Sequence, residues 1–140
     1  MLDTNVIISA FISPGGKPSQ ILKMILGRYT MPSAMHNSHL ILHHNSAILS
    51  EYENVMKRPK FSDKISFDNV RRFVDLLRKI GIPFDPIPSS VKLIDESDRI
   101  FYDTAKGSNS FLISGNIKHY PKEPFILTPE AFIRLVRQLC

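Results

Sequence analysis

Cysteine is almost missing from this chain: Cys140 is the only one. That excludes an internal disulfide and a thiolate zinc cluster, and it fits a reducing cytoplasm. Long apolar runs are missing too. None approaches the ~20 residues that a bilayer span needs. No basic region stands before the N-terminal apolar stretch, as it would in a secretory signal. A membrane partner is therefore not expected. There is also no internal repeat and no low-complexity tract. The 140 residues are expected to form one domain, residues 1–140, with enough chain for a real core.

What is present is ordinary in bulk and uneven in charge. Hydrophobic content is 43% and charged content 22%, usual for a soluble globular protein. Lys and Arg number 18 against 13 Asp and Glu, a formal net charge of +5. A basic surplus favours polyanions through the electrostatic part of nucleic-acid binding. It gains meaning if the acids gather in one cleft while the bases surround it.

Residues 1 to 8 read as a short buried strand leading into a helix. Asp3 stands at its end with Thr4 and Asn5, so a carboxylate, a hydroxyl and an amide meet at the mouth of an apolar run. All three types favour helix N-caps. In a parallel sheet the same place opens on the cleft at the strands' carboxyl ends. Both readings stay open for Asp3 and Thr4 on this stretch alone.

Pro14 to Pro18 forms a turn, and Ser19 is expected to cap a short helix bearing Ile21, Leu22, Ile25 and Leu26 and stopping at Gly27. Residues 29 to 39 read as irregular. Leu40 to His44 suggests a second strand. Asn45-Ser46 starts a helix with Ile48, Leu49, Tyr52, Val55 and Met56 inward and Glu51 near its start. Pro59 breaks it. Residues 66 to 80 carry the clearest helical period, with Val70, Phe73, Val74, Leu77 and Ile80 on one face and Gly81 as stop. A proline-rich crossover, Ile82 to Ser90, leads to a short extended piece, Val91 to Ile94. Asp95 to Asp98 precedes a helix that ends at Gly107. Phe111 to Ile113 and Phe125 to Leu127 read as buried strands. Thr128 caps the last helix, Pro129 takes its first position, and Phe132, Ile133, Leu135, Val136 and Leu139 form its core face. Strand and helix alternate, which predicts a three-layer α/β domain with a mainly parallel sheet.

In that frame Asp3, Glu51 and Asp98 fall at corresponding places, with Asp95 before Asp98 and Asn116 closing the run that begins at Phe111. Strand ends and following helix starts converge on one sheet edge. Three unpaired carboxylates there would raise one another's pKa. A hard divalent cation removes that cost; Mg²⁺ commonly binds through one or two carboxylates plus waters and substrate phosphate. The implied chemistry is metal-assisted attack of water on a phosphodiester. His36, His39, His43, His44 and His119 do not make a zinc motif, since there is no His-Glu-x-x-His and no cysteine cluster. Lys118 and Lys122 either touch phosphate at the cleft rim or lie in a plain exposed loop.

The ordered set of pieces resembles a PIN domain, the nuclease fold of VapC-like toxins. The pieces are Leu2 to Ala10, Ile48 to Tyr52 with Arg58 to Phe61, Asp95 to Phe101 with Ala105, and Phe111 to Asn116. Leu127 to Phe132 also resembles the toxin-antitoxin branch of that family. The resemblance implies an α/β/α PIN-like fold and a metal-dependent ribonuclease. It implies that Asp3, Glu51 and Asp98 are catalytic and bind Mg²⁺ or Mn²⁺ together with Asn116. Thr4 or Asn5 would be the small polar residue beside the first acid, and Asp95 an auxiliary acid or a helix cap. Arg58, Lys60, Arg71, Arg72 and Lys118 are candidates for RNA contact. The implied partners are RNA, a cognate antitoxin and a second copy of the chain. Two departures bear on activity. Asn116 stands where the family usually has Asp, so its carbonyl can accept but brings no charge. Only Met1 and Leu2 precede Asp3, so either the first strand is very short or the true start lies upstream. A PIN-fold module that binds RNA or a protein without turnover is the alternative.

Overall fold

The parallel sheet is built from very short pieces, described here from a computed structural model covering residues 1–26 and 40–139. The expectations for Gly27, for residues 29 to 39, and for His36 and His39 lie outside the described residues. β3 (Leu112–Ile113) is central to one set of pairings. On one side Ile113 N–H donates to Met1 O at 2.9 Å and Asp3 N–H donates to Ile113 O at 3.1 Å, with Leu2 bridged to Ile113 in parallel. On the other side β4 (Ile126–Leu127) pairs in parallel, Leu112 opposite Ile126 and Ile113 opposite Leu127. A second parallel pair joins β1 (His43–His44) to β2 (Ile82–Pro83). Ser110 Oγ and His43 Nδ1, 2.9 Å apart, connect the approach to β3 with β1. All pairings among the described residues are parallel, as the alternation predicts.

Among the described residues six helices pack around these strands: α1 (Thr4–Ile12), α2 (Lys17–Leu26), α3 (Ser46–Met56), α4 (Phe67–Ile80), α5 (Arg99–Gly107) and α6 (Pro129–Leu139). α1 packs on α2 and α3, α4 on α3, α5 on β1 and β3, and α6 on α2 and β4. The result is the expected three-layer α/β/α arrangement. Capping residues set the helix starts. Asn45 Oδ1 accepts from Ile48 N at 3.0 Å, Ser66 Oγ from Asn69 N at 3.2 Å, and Thr128 Oγ1 from Ala131 N at 3.2 Å. The core runs from Leu2, Ile7 and Ile21 through Tyr52, Leu77 and Tyr102 to Leu112 and Ile133.

Several boundaries differ from the sequence reading. Val6 to Ile8 is helical, because Asp3 caps α1 and leaves room for only three extended residues. Val6, Ile7 and Ile8 are all buried in a continuous apolar run, which masks the helical period that exposed Asn5 and Ser9 mark. Ser19 is not a cap; α2 starts at Lys17 and Ser19 is buried inside it. The strand expected over Leu40 to His44 shrinks to two residues, and Val91 to Ile94 pairs with no strand. Glu51 sits in the middle of α3 rather than near its start. Ile80 and Leu139 are 43% and 77% exposed, so they end their helices outside the core.

Candidate active site

Asp3 carries both roles that its sequence context allows. Its Oδ1 accepts from Val6 N at 3.1 Å and so caps α1. Its backbone continues the extended segment on β3, so the carboxylate lies at the sheet's carboxyl edge and is 6% exposed. Burial raises its pKa, while Ser114, the amides of Val6 and Asn5, and His119 pull it back down. Thr4, next along, is buried with its Oγ1 unpartnered, whereas Asn5 is exposed on the first turn of α1.

α3 is tied to the same edge by a buried hydrogen bond from the Tyr52 hydroxyl to Leu2 O. Glu51 precedes Tyr52 and is half-buried. Asp95 is exposed and caps the short 3-10 turn Glu96–Asp98, its Oδ1 accepting from Ser97 N at 2.9 Å. That bond holds its pKa below the usual range. The turn delivers Asp98 to the start of α5, where it makes no side-chain capping bond. Asp98 Oδ2 is buried and has no hydrogen-bond partner. Its pKa is raised first by burial and then by the charges of Asp95 and Asp3, with a smaller contribution from Glu51 and an opposing one from His119. Asp3, Glu51, Asp95 and Asp98 thus share one electrostatic neighbourhood.

The far wall follows β3. Ser114 is fully buried and its Oγ accepts from Asn116 N at 3.0 Å. Asn116 is exposed, and its Nδ2 lies 3.0 Å from His119 Nε2. A 3-10 turn, Ile117–His119, brings His119 Nδ1 to 3.9 Å from Asp98 Oδ2. Tyr120 is buried with its hydroxyl unpartnered; burial and the charges of Asp3 and Asp98 push that hydroxyl's pKa up. Lys118 is exposed on this turn, two residues from Asn116, and Lys122 is exposed beyond it. Arg58 and Lys60 are exposed around the turn Pro59–Phe61, with Lys60 Nζ 4.9 Å from the Phe61 ring centre. No described contact joins Arg58 or Lys60 to the acids.

Tyr52, Ser114 and Tyr120 are missed when the sequence is read alone. A tyrosine in an apolar pattern reads as core, and the chain gives no signal that its hydroxyl lies near the acids' charges. Among the described residues, no group of three or more His, Cys, Asp or Glu side chains closes around one ion. The donor set still fits an open cation site. Its oxygens are hard, Asp98 Oδ2 is orphaned, and Mg²⁺ needs only one or two carboxylates beside its waters. The apolar pocket between Ile21, Ile25, Leu40, Phe111, Phe132 and Val136 contains none of these acids.

Fold and site together define an α/β protein with buried carboxylates at the carboxyl edge of a parallel sheet. The chain belongs to the PIN domain family, whose sequence pattern matches residues 1–118. PIN domains are in general nucleases that bind RNA and use divalent metals. The chain is also similar to the uncharacterized protein MJ1680 of Methanocaldococcus jannaschii, 27% identical over 121 residues, covering 83% of this chain and 69% of that protein. No solved structure matches it significantly.

Proposed function

We propose that the protein is a metal-dependent endoribonuclease and the toxin component of a type II toxin-antitoxin pair. The observation that carries the first part is the unpartnered, buried Oδ2 of Asp98 within the field of Asp3 and Glu51. A buried carboxylate oxygen without a donor is costly, and a cation is the partner that chemistry supplies. Asp3, Glu51 and Asp98 hold Mg²⁺ or Mn²⁺. When bound, the ion supplies Lewis-acid stabilisation of the phosphoryl charge and a more acidic water. Thr4 Oγ1 and the Tyr120 hydroxyl, both without protein partners, hold water beside the acids. Arg58, Lys60 and Lys118 contact the RNA backbone. The toxin role rests on the resemblance of Leu127 to Phe132 to that branch of the family. It brings an antitoxin as partner, and a homodimer as the assembly.

The test is cleavage of a labelled structured RNA with Mn²⁺, with Mg²⁺ and with chelator, by wild type and Asp98→Asn. Metal-dependent cleavage is expected in the wild type. In the variant it should fall by more than the about 10–100-fold that loss of an outer-shell partner costs. Equal cleavage by both proteins would overturn the assignment of Asp98. A second reading, a PIN-fold module that binds without turnover, is favoured by Asn116, whose amide brings no charge and lies exposed beside His119. It expects RNA binding with no cleavage in any metal.

A further inference from the structure

Asn116 stands where a fourth carboxylate would, and its amide is engaged with His119, 3.0 Å from Nε2. The other ring nitrogen faces Asp98 Oδ2 at 3.9 Å. That distance is too long for a hydrogen bond. It suits two ligands of one ion. Ligands about 2.1 Å from a common cation stand between about 3 Å apart when adjacent and about 4.2 Å when opposite. The carboxylate oxygen on this axis is buried and has no donor. Independently, Tyr120, the residue after His119, is 6% exposed and leaves its hydroxyl unpartnered within reach of the charges of Asp3 and Asp98. The segment 116 to 120 therefore sets an imidazole beside the orphaned carboxylate oxygen of Asp98, and the residue after that imidazole carries an orphaned hydroxyl.

We propose that His119 ligates the same divalent ion as Asp98, with Asn116 as the residue that orients its ring, and that this imidazole makes the site prefer Mn²⁺ to Mg²⁺. The inference rests on the metal-binding part of the function proposed above. Imidazole suits transition metals, whereas Mg²⁺ keeps to oxygen ligands and its own waters. A metal-bound histidine is oriented by a bond from its other ring nitrogen to an outer partner. Here that partner is Asn116. With the amide nitrogen toward Nε2, as observed, the ring proton sits on Nδ1 and faces Asp98. Turning the amide over presents Oδ1 to an Nε2–H and frees the Nδ1 lone pair for the ion. The two arrangements differ in which ring nitrogen carries the proton. An asparagine can serve both arrangements, since its amide donates from one end and accepts at the other.

His119 has a half-exposed side chain, so its replacement leaves the core untouched. The probe is the metal alone. Mn²⁺ is bound to the full chain, and its electron spin-echo envelope is recorded for nitrogen coupling. Thermal shifts in Mn²⁺ and in Mg²⁺ are measured beside it. Wild type should show directly coupled imidazole nitrogen. His119→Gln should lose that signal and weaken Mn²⁺ binding about 10–100-fold, while Mg²⁺ binding changes less than Mn²⁺ binding. Asn116→Ala should keep the nitrogen signal and weaken Mn²⁺ by about 10-fold. Mn²⁺ binding to wild type without nitrogen coupling would overturn the inference and leave the carboxylate site standing; His119 would then be only a neighbour of Asp98. No thermal shift with either metal would overturn both this inference and the metal-dependent function.

Discussion

At the residue scale, Asp98 sets a test that needs no RNA. Its folded-state pKa is raised above the ordinary 3.8 by burial and by Asp95, Asp3 and Glu51. Below 3.8 the folded and unfolded chains both hold the proton, and the carboxyl costs nothing as a charge. As pH rises through the folded value, the unfolded chain releases its proton more readily, and stability is lost. At neutral pH without metal, Asp98 is therefore a destabilising charge. Asp98→Asn keeps the shape and removes the charge. In chelator at neutral pH the variant should melt above wild type, and the difference should close as pH falls below the carboxyl's ordinary value. Added Mn²⁺ should reverse the order. A hundredfold excess over Kd stabilises the wild type by about 2.7 kcal/mol and the variant by little. Calorimetry across pH, with and without metal, checks both halves. A variant that melts below wild type in chelator would mean that Asp98 is satisfied by a protein partner.

At the element scale, the junction of α4 with β2 shows how tightly the helices are set on the sheet. Gly81 ends α4, its N–H bonding Leu77 O at 2.9 Å, and Ile82 N–H then bonds Leu42 O at 2.9 Å. A Cβ added at Gly81 would stand 2.5 Å from the His44 ring, 2.7 Å from Leu42 O and 2.9 Å from Leu77 O. Two of these are backbone atoms, so the strand itself would have to move. Gly81→Ala should destabilise by about 1–3 kcal/mol, as overpacked sites do, measured by urea unfolding. A loss well below that range would mean that the junction is loose. The same junction explains what the sequence discloses. The stop at Gly81, the helix start at Asn45-Ser46, the cap at Thr128 and the periods of α3 and, apart from Ile80, of α4 are local signals found where expected. The start of α1 is hidden because Val6 to Ile8 is a continuous buried run that reads as strand, and the strands read as overlong because flanking apolar residues pack without pairing. Asp3 is legible as a candidate because a carboxylate ends an extended segment there, whereas Glu51 and Asp98 lie on a helix and a helix start and stand out only through the family pattern. The tyrosine hydroxyls near them are not legible, since where a buried hydroxyl ends up is decided by tertiary contact.

At the scale of the whole molecule, charge decides how RNA is met. The net +5 understates the basic surface, because Asp3, Glu51, Asp95 and Asp98 share one neighbourhood and leave the remaining face richer in Lys and Arg. RNA held by that face releases counterions, so affinity should fall steeply with salt. Each backbone contact on a single strand contributes about 0.7 to the slope of log affinity against log salt. Lys118 is exposed two residues from Asn116, on the turn that carries His119, and makes no described contact with the acids. Lys118→Ala should lower the slope by about 0.7 and weaken binding to all RNA sequences alike. Arg58→Ala and Lys60→Ala should do the same if the backbone tracks along the Pro59–Phe61 turn. Fluorescence anisotropy in chelator reads binding without cleavage. An unchanged slope in all three variants would move the RNA path elsewhere on the surface, with the exposed Arg71 and Arg72 of α4 as the next residues to replace.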